Sequence, residues 1–250
     1  MSEKEVPLKE TIKSFHFTDE TDIIDLSCSS SDSLCSESDQ HVCNEGCLNI
    51  KIKEVLHPSY GMHVWASAPV LSKFIWYNRS KLKEKTVLEL GSGTGLVSVV
   101  AAKCKAHVIL TDSKKYECTF QTALENLQLN GISKEAFEIK EMTWGYFSAN
   151  LVQSPPIDII LGSDVFYSPK DFEDIIVTVS FLLKKNQSAE FWCTYEHRCT
   201  DWNIDNYLEK WNLNCEEISL SDFGADGFNV AGCDLPGLKT ISLLIFRYSK

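Results

Sequence analysis

The sequence predicts an α/β fold with a mainly parallel sheet covered by helices on both faces. Short, almost continuous apolar runs such as VILT, IDIIL and FWCTY alternate with longer stretches of helical periodicity, as strands buried on both faces do. A glycine-rich turn also joins the first of the central runs to the helix after it.

Residues 1–47 are rich in Ser, Asp, Glu and Cys with little apolar periodicity, so they read as a disordered acidic tail ahead of a single domain over 48–250. Leu48 opens an alternating strand, LNIKIKEV, and a helix from Ala68 leads into the domain. TVLEL is a strand, and small and β-branched residues resume at helical spacing after its glycines. AHVILTD is the second buried strand, KYECTFQTALENLQLNG a helix stopped by Gly131, and AFEIKEM the third strand. IDIILGSD is the fourth. PKDFEDIIVTVSFLLKK is a helix opened by Pro169, with acids in its first turn and Lys184 and Lys185 in its last, which complements the helix dipole. AEFWCTY is the fifth strand, DWNIDNYLEKWNL a helix, CEEISL the sixth strand and KTISLLIFRYS the last.

With 250 residues, 44% of them hydrophobic, the chain can bury one sizeable core. A net charge of -11 supplies no basic field for direct nucleic-acid binding and suits a basic partner instead. No apolar run approaches the roughly 20 residues of a membrane span, and the first residues lack the hydrophobic segment of a leader, so a soluble intracellular protein is expected. Ten cysteines in such a chain read as reduced thiols. Cys43 and Cys47 lie near His41, but no second pair stands at zinc-ligand spacing, so no metal is expected.

Glu89-Leu90-Gly91-Ser92-Gly93-Thr94-Gly95 carries the most chemical information. Glycines there let the backbone turn sharply and approach a ligand, and the following helix points its N–H groups at the same crevice. Asp112 ends the next strand about 20 residues on, where a carboxylate accepts from both ribose hydroxyls of a nucleoside cofactor. A dinucleotide fingerprint sets its third glycine three positions after the second. Here the step from Gly93 to Gly95 is two, which favours S-adenosylmethionine over NAD. The plainer alternatives are a turn that only packs strand on helix and a Glu89 satisfied by local backbone donors.

This block, the acid after the second strand, Trp144 in MTWG, and Asp164-Val165-Phe166-Tyr167 resemble the seven-β-strand, Rossmann-like S-adenosylmethionine-dependent methyltransferases. The match, from about Ile50 to the C-terminus, lies in the methyltransferase-like branch with a D-x-x-Y motif, whose members modify proteins. Within it, YGMHVWASAPVL, LTDS, TWG, DIILGSDVFYSPKDFEDI, TYEHRCTDW and LPG are similar to a member regarded as a histone arginine methyltransferase. The resemblance implies a seven-stranded sheet whose last strand is antiparallel. It implies that Trp65 lines the cofactor site, that Glu89, Gly91 and Asp112 hold the methionine and ribose parts, that Trp144 packs on the adenine, and that Asp164 stands near the methyl. It also implies a histone or other basic protein as substrate, in the nucleus and cytoplasm; a monomer is expected, and charge and apolar pattern point away from direct nucleic-acid or membrane contact. Trp65 and Trp144 as core aromatics, and Asp164 as a helix cap before Pro169, are the structural alternatives.

A sulfonium methyl is already electrophilic, so the protein mainly places a nucleophile and manages one proton. Asp164 can orient an amine or guanidinium, while Phe166 and Tyr167 can wall the channel with ring faces. A guanidinium is a poor nucleophile that carboxylates must localise. The paired-glutamate loop of the usual arginine methyltransferases has no counterpart at a matching position, since Glu216 and Glu217 open a late strand. Lysine is the alternative acceptor, and a non-catalytic cofactor-binding regulator the alternative class.

Overall fold

A computed structural model of the chain describes residues 9–19, 46–55, 60–114, 117–234 and 240–249. Strands β1 (Glu10–Thr18) and β2 (Cys47–Val55) form an antiparallel pair. Period-two alternation puts Phe15 and Phe17 on one face with Leu48, Ile50 and Ile52, all buried in the core. The expectation of a structureless tail over 1–47 is therefore corrected at 10–18. ETIKSFHFT holds only a few apolar residues, but each buried phenylalanine contributes roughly 2–3 kcal/mol once β2 offers an edge. Residues 20–45, with His41 and Cys43, lie outside the described residues, as do Lys115, Tyr116 and the LPG segment.

The chain continues through α1 (Ser67–Tyr77), α2 (Arg79–Leu82), β3 (Thr86–Leu90), α3 (Leu96–Lys103), β4 (His107–Asp112) and α4 (Glu117–Leu129). Next come β5 (Phe137–Glu141), α5 (Ala149–Val152), β6 (Ile159–Ser163), α6 (Phe172–Lys185) and β7 (Glu190–Glu196). It ends with α7 (Asp205–Lys210), β8 (Leu213–Ile218), the two-residue pair β9 (Asn229–Val230) and β10 (Cys233–Asp234), and β11 (Ile241–Tyr248). The predicted helix around DWNIDNYLEKWNL shrinks to α7, because Asn203 accepts the Asp205 N–H in a local turn at 2.6 Å and delays the first helical turn.

The main sheet has seven strands in the order β5-β4-β3-β6-β7-β11-β8. Pairing is parallel from β5 to β7, and β11 runs antiparallel between β7 and β8, as the resemblance implies. Alternation splits each strand between two cores. Val87, Ile159, Leu161 and Trp192 face the layer of α1, α3 and the β1–β2 pair, whereas Leu88, Ile160, Phe191 and Cys193 face α6. The winding goes outward from β3 to β5, then restarts at β6 on the other side of β3. That reversal opens a crevice beyond the carboxyl ends of β3 and β6.

Candidate active site

The crevice holds a cavity of about 330 Å³, and its first wall is the turn after β3. Gly91 has φ +67° and Gly93 φ +50°, both in the left-handed region that favours glycine. A Cβ on Gly91 would stand 3.0 Å from the Trp144 indole, and one on Gly93 would stand 3.4 Å from the Gly61 carbonyl oxygen. The turn is tied to the end of β4, because Ser92 N–H donates to the Thr111 carbonyl at 2.9 Å and Gly93 N–H to Asp112 Oδ2 at 3.1 Å.

Two carboxylates line this wall. Glu89 is buried and accepts from the Ser98 hydroxyl on α3. Burial pushes its pKa up to about 8, the Ser98 hydrogen bond pulls it down, and the charge of Asp112 adds to the rise. Asp112 is also raised by burial, against hydrogen bonds from the N–H groups of Ser113 and Gly93 and from the Thr119 side chain. These donors fix its orientation at the cavity edge.

S-adenosylmethionine fits this set of groups. The glycine backbone leaves a cradle that a Cβ would fill, and the acids suit an amino group and a ribose diol. Ser92 Oγ is buried at the cavity without a hydrogen-bond partner among the described residues, a polar atom left for a ligand.

The opposite wall comes from the ends of β6 and β7. Asp164 follows β6 with φ +56°, a conformation Asp tolerates better than most residues, and its N–H donates to the Thr194 carbonyl at 2.9 Å. Its carboxylate is gripped by Arg198, with Nη1 on Oδ1 at 2.8 Å and Nη2 on Oδ2 at 2.5 Å. Arg198 Nη2 also reaches Glu196 Oε2 at 3.1 Å, and its guanidinium carbon lies 5.8 Å from the centre of the Trp65 ring. Ser168, not Asp164, stands at the cap position before the turn Pro169–Asp171.

Trp65, Glu89, Gly91, Gly93, Asp112, Trp144, Asp164 and Tyr167 thus come together around one cavity. Gly95 does not line it; it sits behind the turn, where a Cβ would meet Ala123 on α4 at 3.3 Å. Phe166 is corrected from channel wall to core. Its ring is fully buried and packs edge-on against Phe172 and Tyr195. In a strand-end D-x-x-Y segment, Tyr167, 38% exposed, is the aromatic that faces out. Sequence reasoning missed Gly61, His63, Thr119 and Arg198 on the cavity. Arg198 had a readable signal, a charged residue just past the carboxyl end of a central strand.

A family model described as lysine methyltransferase matches residues 45–212. Over 207 residues the chain is 42% identical to the histone-arginine methyltransferase METTL23 of Mus musculus, covering 83% of this chain and 81% of that protein. The protein N-lysine methyltransferase METTL21A of Danio rerio is 36% identical over 119 residues, covering 48% of this chain and 54% of that protein. Among solved structures, a SAM-dependent methyltransferase from Agrobacterium tumefaciens shares the fold with a TM-score of 0.54 at 16% identity, covering 80% of this chain and 68% of that one.

Proposed function

The chain belongs to the lysine methyltransferase family, and from that premise we propose that it methylates arginine side chains of a histone or another basic protein. It is an S-adenosylmethionine-dependent protein methyltransferase; the choice of arginine is the further step. Support for arginine comes from the likeness to METTL23 over about four fifths of both proteins. The observation that carries it in the site is Asp164, which already holds a guanidinium in two parallel hydrogen bonds at the cavity wall.

In this reading bound S-adenosylmethionine supplies a methyl group activated by its sulfonium. Glu89 and Asp112 would hold the polar ends of the cofactor, the Gly91–Gly93 backbone would leave room for it, and Trp144 would offer a ring face to its flat base. Asp164 would accept the N–H groups of the acceptor guanidinium and so localise its charge; the nitrogen that gains the methyl loses one proton toward the Asp164–Glu196 carboxylates and solvent, while the electrons of the broken C–S bond stay on sulfur. Trp65 and Tyr167 close the sides with ring faces that exclude water and favour a cation. The enzyme works as a monomer in nucleus and cytoplasm.

Lysine is the second reading, favoured by the family description and by METTL21A. An ammonium would need only desolvation and loss of a proton to a carboxylate such as Asp164. The two are separated by incubating the protein with S-adenosylmethionine and histone-tail peptides carrying Arg→Lys or Lys→Arg changes, followed by tandem mass spectrometry. Methylation confined to arginine is expected. Methylation that follows lysine would replace the arginine reading, and none on any basic peptide would favour a non-catalytic cofactor-binding protein.

A further inference from the structure

We propose that Arg198 is an internal stand-in for the substrate. Its guanidinium occupies a receptor formed by Asp164 and Glu196, and a substrate arginine binds by displacing it. The inference rests on the arginine reading and names how that site selects and admits a guanidinium.

Strand register builds the receptor. Ser163 pairs with Thr194 at the carboxyl ends of β6 and β7, so Asp164, just past β6, and Glu196, the last residue of β7, emerge from neighbouring strands at one end of the sheet. The paired acids absent from any single loop of the sequence are thus assembled from two strand ends. Between them lies one guanidinium, with Nη1 on Asp164 Oδ1 at 2.8 Å and Nη2 shared by Asp164 Oδ2 at 2.5 Å and Glu196 Oε2 at 3.1 Å. Carboxylates on both sides of a planar fork are what guanidinium recognition requires.

The occupant can leave. The Arg198 side chain is 25% exposed against 5% for Asp164, so it enters from the solvent side and departs without opening the core. It also sits on the irregular stretch 197–204 between β7 and α7 rather than on a strand or helix.

Charge argues that it must leave. The cofactor brings a sulfonium cation and the acceptor brings a guanidinium, and both must meet beside Asp164. A third cation fixed there would repel each of them in a site where burial weakens screening. Withdrawn, Arg198 leaves two carboxylates for one incoming cation, with the Trp65 ring face alongside.

Isothermal titration of methylguanidinium and methylammonium into protein saturated with S-adenosylhomocysteine tests this. Wild type is compared with Arg198→Ala and with Arg198→Met, which keeps aliphatic bulk over Trp65. Both variants should bind methylguanidinium at least tenfold more tightly than wild type, and adding Glu196→Gln should cancel most of that gain. No gain for either cation, or a gain indifferent to Glu196→Gln, would overturn the inference and leave the arginine reading to the peptide products. A gain for methylammonium alone would overturn both. Loss of S-adenosylhomocysteine binding in both single variants would show that Arg198 builds the site rather than vacates it, and would also overturn the inference.

Discussion

At the ends of β3 and β4 the crevice wall is made of contiguous backbone, whereas at the ends of β6 and β7 it is made of side chains that meet across the sheet. On the first side, Gly93 N–H and Ser113 N–H hold Asp112, and two left-handed glycines bring the main chain to the cavity. On the second, Asp164, Glu196 and Arg198 hold one another by charged side-chain hydrogen bonds, brought together from the ends of two strands and the stretch that follows β7. A backbone cradle suits a ligand that never changes, while a charged cluster can be rearranged by what enters it. The first wall should therefore govern cofactor affinity and the second turnover.

The sharpest way to break this division is a pair of substitutions. Asp112→Ala removes the carboxylate proposed to take the ribose hydroxyls and should weaken S-adenosylmethionine by about a hundredfold in calorimetry. Asp164→Asn keeps a side chain that tolerates φ +56°. It should leave cofactor affinity within about threefold while turnover on a methylated peptide falls by about a hundredfold or more. If Asp164→Asn weakened the cofactor as much as Asp112→Ala does, the two walls would not be separate devices.

The same contrast explains how much could be read from the chain. The strands, the glycine turn, Glu89 and Asp112 were legible because apolar period and a contiguous motif specify them locally. Trp65, Trp144 and Tyr167 came from family resemblance, and all three line the cavity. The Asp164–Glu196–Arg198 cluster was not legible, since Asp164 meets the other two only when β6 and β7 pair in register. The strand Glu10–Thr18 was missed for a similar reason. Its two phenylalanines gain meaning only against β2, far along the sequence. Phe166 was misassigned because a motif gives the order of residues but not which side of a strand end each one faces.

Glu89 sharpens the comparison by pH. Its carboxyl keeps a proton in the folded protein up to about pH 8, while the unfolded chain releases it near 4.5. The folded state then binds the extra proton between those values, so Glu89 costs stability progressively as pH rises through that window. From pH 6 to pH 8 the loss is about 2 kcal/mol, roughly 4–8 °C in Tm for a chain of this size. Glu89→Gln, which keeps a partner for Ser98, should remove that portion of the decline in thermal melts of the ligand-free protein. An unchanged slope would mean that Glu89 is ionised in the fold.

Trp144 touches both sides and should show the smallest, mixed effect. Its loop is pinned from the first wall, where Met142 N–H donates to the Asp112 carbonyl at 2.9 Å, and from α6, where Gly145 N–H donates to Thr178 Oγ1 at 2.8 Å. The indole itself lies against Gly91, with its centre 6.2 Å from that of the Tyr167 ring. Trp144→Leu keeps an apolar side chain but loses ring area. It should weaken S-adenosylmethionine by about tenfold, near 1.4 kcal/mol, with turnover at saturating cofactor reduced only about two- to threefold. A drop in turnover as large as that of Asp164→Asn, at unchanged affinity, would move Trp144 to the acceptor side. The boundary between the walls would then run between Gly91 and its indole rather than between the indole and Tyr167.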